Sequence, residues 1–139
     1  MRLAFDLDET LGVPLIVGNS IAGFRLRDGC AQLLGTLKLD HTLLLWTVSN
    51  RSYVEKVLSY GLAEYFAEIY SWDEVASRWK DVRQTRADYL IDDSPHHREK
   101  AEAHGLAQHY IVVAGYGSVE DQQDPLLWVR QIEQGLVGR

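Results

Sequence analysis

The chain has 139 residues, 46% of them hydrophobic and 24% charged, which is the length of one domain, residues 1–139, with apolar content that excludes general disorder. A net charge of −6 and a pI near 5.3 argue against a broad electrostatic grip on nucleic acid or on an anionic membrane. Cys30 is the single cysteine, so an internal disulfide is excluded and a reducing, cytoplasmic setting is expected. A first strand beginning at residue 2 leaves no room for a signal peptide, and every apolar run falls short of the ~18 residues that span a bilayer.

Taken in order, Leu3 to Leu7 reads as a strand. Val13 to Phe24, short, apolar and glycine-containing, reads as a small hairpin. Asp28 to Leu37 has helical spacing, with Asp28 as a candidate N-cap. Thr42 to Thr47 (TLLLWT) is too apolar to alternate and reads as a buried strand. Asn50 or Ser52 caps a helix running to about Tyr60, with Gly61 ending it. Glu68 to Tyr70 is a short strand, Trp72 to Lys80 a turn or loop, and Ala87 to Ile91 the next strand, closing on Asp92-Asp93. Pro95 to His104 is helical, His109 to Val113 is a strand, and Asp124 to Gln134 is an amphipathic helix with Pro125 in its first turn. Strand–helix alternation with continuous apolar strands predicts an α/β fold in three layers, Rossmann-like, around a central, mainly parallel sheet.

Asp6 and Asp8 close the first strand two residues apart, and residues i and i+2 of a strand face one side. Two carboxylates held together repel by roughly 4 kcal/mol at ~4 Å and an effective dielectric of ~20. They need a cation, a shared proton or a reaction to run. Alone, such a pair also fits a strand end followed by an Asx-type cap. Thr47 and Ser49, however, close a second strand, and Asp92 and Asp93 a third. In a parallel sheet all three ends face the ligand crevice beyond the carboxyl edge.

That set resembles the haloacid dehalogenase superfamily of phosphohydrolases. The matching residues are Asp6-Leu7-Asp8-Glu9-Thr10-Leu11, the Thr47 closing Leu43-Leu44-Leu45-Trp46, Lys80, and Asp92-Asp93 closing Tyr89-Leu90-Ile91. They span roughly residues 2–115. Leu45-Trp46-Thr47, Lys80-Asp81 and Ile91-Asp92-Asp93-Ser94-Pro95 look like the branch of RNA polymerase II C-terminal-domain phosphatases and NLI-interacting-factor-like proteins. The magnesium-dependent phosphatases of the superfamily are similarly compact. The resemblance implies Asp6 as nucleophile, Asp8 as general acid and base, Thr47 and Lys80 as phosphate contacts, and a magnesium ion held by Asp6, Asp8 (through its carbonyl), Asp92 and Asp93. Four carboxylates and one lysine sum to about −3, which a phosphate dianion approaches only with a divalent cation.

The family inserts cap domains after its first motif or between its second and third. Residues 12–27 have room for a hairpin flap alone, and Thr47 to Lys80 is too short for a cap, so a capless fold is expected. An open crevice suits phosphate on a larger molecule, or a homo-oligomer whose neighbouring subunit acts as lid. The expected partner is a phosphorylated protein or small molecule. No membrane is implied, and nucleic acid is not favoured. The alternative is a catalytically weak binding or regulatory module on the same fold. A signalling receiver domain uses similar residues but has its acidic pair near the start, whereas here the pair comes late.

Bland readings compete elsewhere. Lys100 rivals Lys80 but follows the fourth motif. Ser49 and Asn50 fit helix capping as well as site lining. His96 and His97 are adjacent, diverge by about 100° on a helix, and so do not ligate one metal together. Cys30 and Trp46 read as packing residues. Trp72 and Trp79 are candidates for an aromatic wall of the crevice. The glycine-rich run Gly115-Tyr116-Gly117-Ser118 is too short to read as a phosphate cradle.

Overall fold

The structure, a computed structural model, describes residues 1–137. Its centre is five parallel strands: β1 (Arg2–Phe5), β4 (Thr42–Trp46), β5 (Glu68–Tyr70), β6 (Tyr89–Asp92) and β7 (Tyr110–Val112). Their order across the sheet is β5-β4-β1-β6-β7. β2 (Gly12–Val17) and β3 (Ser20–Leu26) form a separate antiparallel hairpin. The expected α/β architecture is present, and the hairpin is longer at its base than residues 13–24.

Two-residue alternation decides which helices cover each face. Leu3 and Phe5 of β1, Leu43 and Leu45 of β4 and Ile91 of β6 share one face. They pack there with Leu33 and Leu34 of α1 (Cys30–Leu37), Val54 and Val57 of α2 (Arg51–Leu58), and Trp128 and Ile132 of α5 (Leu127–Leu136). Cys30 is buried in that layer, as its packing reading expects. Ala4, Leu44, Trp46 and Leu90 point the other way, onto Ala101 of α3 (His96–Glu102), Val82 and Tyr110. Each fully buried leucine contributes about 1.5–3 kcal/mol of transfer free energy.

Three local expectations are corrected. Asp28 does not cap α1. Gly29 occupies that position in the left-handed region (φ 80°) without a side-chain hydrogen bond, and the Asp28 carbonyl accepts from Trp128 Nε1 at 2.9 Å. The helix expected over Asp124–Gln134 starts at Leu127, because a residue before proline favours extended backbone and Asp124 adopts φ −149°, ψ 87°. Upstream of that break lies an unexpected turn of helix, α4 (Val119–Gln123), capped by the Ser118 hydroxyl, which accepts from Asp121 N. α3 is also shorter than Pro95–His104. Asn50 caps α2 as expected, its carboxamide oxygen accepting from Tyr53 N at 2.9 Å.

Among the described residues neither family insertion point carries a folded cap. Only the β2–β3 hairpin follows β1, and residues 71–88 hold turns and one 3-10 turn, Val82–Gln84. No helix is long and apolar enough to cross a membrane among the described residues.

Candidate active site

Strands β1, β4 and β5 lie to one side of the sheet and β6 and β7 to the other, so the winding direction reverses between β1 and β6. A crevice opens at such a reversal beyond the carboxyl ends. Here it has a volume of about 270 Å³, and Asp6, Asp8, Thr47, Lys80, Asp92 and Asp93 all line it. The ladder holds their backbones firmly. Asp6 N–H donates to Ile91 O at 3.0 Å, Thr47 N–H to Tyr70 O at 2.9 Å, and Val113 N–H to Asp92 O at 3.0 Å.

Lys80 is the centre of charge. Its Nζ lies 2.8 Å from Asp6 Oδ1 and 3.0 Å from Asp92 Oδ2, and its side chain is 3% exposed. Burial alone would depress the ammonium's pKa, but the two carboxylates outweigh it and raise the pKa above the usual lysine value. The residue sits on a loop, and side chains from two other elements fix it. Its N–H donates to His97 Nδ1 at 2.9 Å and its carbonyl accepts from the Tyr110 hydroxyl at 2.8 Å. The exposed Lys100, on α3, is absent from the crevice lining.

Thr10 closes the carboxylate cluster from behind. Its buried hydroxyl lies 2.9 Å from Asp93 Oδ1 and 3.1 Å from Asp6 Oδ2, and accepts from Asp93 N–H at 3.1 Å. Asp6, Asp92 and Asp93 each present one oxygen such that all three lie within 4.8 Å of one another. Burial first, then the charge of Asp6, pushes the Asp93 carboxyl up to about 7, and the same two causes raise Asp92. A cluster that would rather hold protons than stay fully ionised is one that a hard cation fits, and three carboxylates are hard oxygen donors. These residues therefore could hold a metal ion.

Asp8 faces a different neighbour. Tyr53 Oη donates to its Oδ1 at 2.5 Å. Burial raises the Asp8 carboxyl; the Tyr53 bond opposes the rise, and Asp6 and Glu9 add to it. Thr47 is buried, and its Oγ1 accepts from Ser49 N–H at 3.1 Å, which turns the chain toward α2.

The loop after β1 needs bracing, because Glu9 sits in the left-handed region at φ 67°. Arg27, 2% exposed, supplies it. Its Nη1 donates to the carbonyls of Thr10 at 3.2 Å and Ala114 at 2.8 Å, its Nη2 pairs with Asp121 at 2.7 Å, and its guanidinium lies 4.5 Å from the Trp128 ring. Tyr116 N–H donates to Glu9 O at 2.8 Å. Gly115 packs so closely on Asp93 that an added Cβ would lie 3.2 Å from its Oδ2. The glycine-rich run thus supports the acidic cluster.

Of the aromatic candidates, Trp72 lines a hollow beside the crevice, whereas Trp79 stacks on His104 at 5.5 Å and packs against the second core layer. His96 is exposed. His97 is buried in the crevice wall; burial, then the Lys80 charge, holds its imidazole down to about 4. Accepting at Nδ1, the neutral ring carries its proton on Nε2, 3.6 Å from Asp92 Oδ2. Thr10 stood inside the first motif string and was open to recognition there. His97, Tyr53, Tyr110 and Arg27 act through contacts whose sequence separation leaves no local signal.

The parallel five-stranded sheet, with its hairpin after the first strand and no cap among the described residues, is a fold found in solved structures of known proteins. Two solved structures share it over 96% of this chain. One is fission yeast RNA polymerase II CTD phosphatase Fcp1, as a variant bound to beryllium fluoride, with 16% identity and a TM-score of 0.59. The other is Fcp1 described as an essential RNA polymerase II CTD phosphatase, with 17% identity and a TM-score of 0.64. The chain spans about half of each, 51% and 49%. No protein-family model and no curated protein sequence matches it.

Proposed function

We propose that this chain is a magnesium-dependent phosphomonoester hydrolase that works through an aspartyl-phosphate on Asp6. The observation that carries the reading is the buried Lys80 ammonium bridging Asp6 and Asp92 inside a crevice that Asp8 and Thr47 also line. The shared fold with the Fcp1 phosphatases supports it.

In the first half-reaction an Asp6 oxygen attacks phosphorus. The bond to the ester oxygen breaks, its electron pair leaves on that oxygen, and the Asp8 carboxyl supplies the proton. Burial raises Asp8, which suits it to hold that proton. In the second half-reaction Asp8, now a carboxylate, takes a proton from water as the water oxygen attacks phosphorus. The bond from phosphorus to Asp6 breaks, and inorganic phosphate leaves. Lys80 orients Asp6 and offsets charge on the transferring group. The Thr47 hydroxyl donates to a phosphate oxygen. Asp6, Asp92, Asp93 and the Asp8 carbonyl would hold the magnesium ion, whose positive charge would offset the acidic site toward a phosphate dianion. The substrate is a phosphorylated protein or small molecule, a neighbouring copy of the chain is a fitting lid for the open crevice, and the setting is the reducing cytoplasm that suits the buried free thiol of Cys30.

Quenched-reaction labelling tests this. With magnesium, a labelled phosphoryl group should appear on Asp6, and Asp6→Asn should abolish both label and turnover. Label on another residue, or full turnover in excess chelator, overturns the reading.

A further inference from the structure

Beyond Ser49 the crevice continues into a hollow of about 680 Å³ lined by Val48, Ser49, Asn50, Tyr53 and Trp72. Val48 and Ser49 line both spaces, so a group attached to a phosphate at Asp6 has a direct path into it. Two walls are exposed apolar side chains, Val48 at 55% and Trp72 at 45%. An exposed tryptophan on a loose loop would carry little meaning. This one stands on a built turn. Its N–H donates to Ser49 O at 2.8 Å, and the buried Ser71 beside it donates through N–H and Oγ to Glu74 at 2.8 Å each. Arg51 at the start of α2 then pairs with Glu74 at 2.7 Å and donates through its N–H to Asp73 at 3.0 Å. The third wall, Tyr53, packs its ring on the core and sends its hydroxyl to Asp8.

Resting on the phosphatase reading, we propose that this hollow is the leaving-group subsite, that it takes a planar aromatic group ester-linked to the phosphate, and that Tyr53 couples the subsite to the acid Asp8. Trp72 and Val48 offer a flat apolar surface to such a ring, and ring stacking rewards it beyond area burial. Tyr53 acts as a positioning residue. Its hydroxyl fixes the Asp8 carboxyl at the boundary between crevice and hollow, where the ester oxygen of a leaving group entering the hollow lies. Whatever group departs is therefore protonated from the side on which the subsite holds it.

Two measurements test the inference. Calorimetric binding in magnesium compares phenylphosphonate with methylphosphonate, neither of which is hydrolysed. The wild type should prefer the phenyl compound by about five- to tenfold, and Trp72→Ala should remove the preference while methylphosphonate affinity stays within twofold. Turnover then compares p-nitrophenyl phosphate, whose phenolate leaves unaided, with glycerol phosphate, whose alkoxide needs a proton. In the single-turnover rate of leaving-group release, before Asp8 acts as base on the common phosphoenzyme, Tyr53→Phe should slow glycerol phosphate about tenfold and the nitrophenyl ester less than threefold, with an unchanged circular dichroism spectrum. Equal phosphonate affinities in the wild type, or equal losses on both esters, overturn the inference while leaving the phosphatase reading intact. A wild type that prefers phenylphosphonate yet hydrolyses neither ester overturns the phosphatase reading and the Tyr53 role with it.

Discussion

The N–H of Lys80 donates to Nδ1 of His97 across 2.9 Å, so helix α3 sets the position of the lysine that pairs with Asp6. Replacing His97 with Ala leaves a buried N–H without its acceptor, at a cost of about 1–3 kcal/mol in stability. His97→Asn, whose side-chain oxygen can accept, should recover part of both Tm and turnover. The pH dependence has a definite sign. The folded imidazole stays neutral down to about 4, while the unfolded one takes a proton below about 6.5. The unfolded state binds more protons in that window, so the His97 contribution to stability is lost as pH falls from about 6.5 toward 4. Denaturant titrations of wild type and His97→Gln at stepped pH should show the difference between them vary only there.

Lys80→Ala and Lys100→Ala should differ sharply. The first removes a buried cation from two carboxylates, which costs about 3–5 kcal/mol of stability and, in turnover, about 10²–10³-fold. The second changes an exposed helix residue and should stay within ±0.5 kcal/mol. Equal losses would show that the Asp6–Lys80 pair has no part in catalysis.

Magnesium affinity should depend on pH in one direction. With the Asp93 carboxyl pushed up to about 7, the ion must displace a proton below that value, so its Kd should rise up to tenfold per unit as pH falls below about 7 and level off above it. Calorimetry in buffers of different ionisation heat reads the released proton. Asp93→Asn should abolish that proton release and weaken magnesium binding. In chelator at pH 8 it should raise Tm, because a neutral amide relieves the repulsion by Asp6.

The hairpin tip should affect selectivity more than stability. Leu15, Ile16 and Val17 are 40%, 63% and 70% exposed, while Phe24 at the base is buried and the Tyr60 hydroxyl ties Ile21 O at 3.2 Å. Shortening the tip around Gly18-Asn19 should leave Tm within a few degrees and change KM ratios across phosphate esters. Loss of cooperative unfolding with unchanged ratios would contradict a flap role.

The strand ends were legible because buried parallel strands are continuous apolar runs, and a polar pair closing such a run stands out. Asp6, Asp8, Thr47, Asp92 and Asp93 stood out that way and by resemblance, and Lys80 by resemblance alone. The supports of the site were not legible. For His97 the sequence excluded only a joint metal site with His96, because its partner is a backbone N–H seventeen positions earlier, and Arg27 offered nothing to distinguish a buried clamp from a solvated arginine. Trp79 resembled Trp72 in sequence but turns to His104 and the core. The helix boundary before Leu127 was misplaced because Pro125 was read as a starting residue, when its effect on Asp124 ends the preceding turn.

The Arg27–Asp121 pair gives the protein a late assembly point. On a ribosome the loop carrying Asp8 and Glu9 emerges more than a hundred residues before its brace is complete, because Ala114 and Asp121 must fold back onto Arg27 and Tyr116 onto Glu9. Nascent chains halted before that point would carry Asp6 without a rigid crevice around it. Synthesis must run past Asp121 before the acidic cluster can take its final shape, so a product interrupted earlier would hold every motif residue without the brace that fixes them.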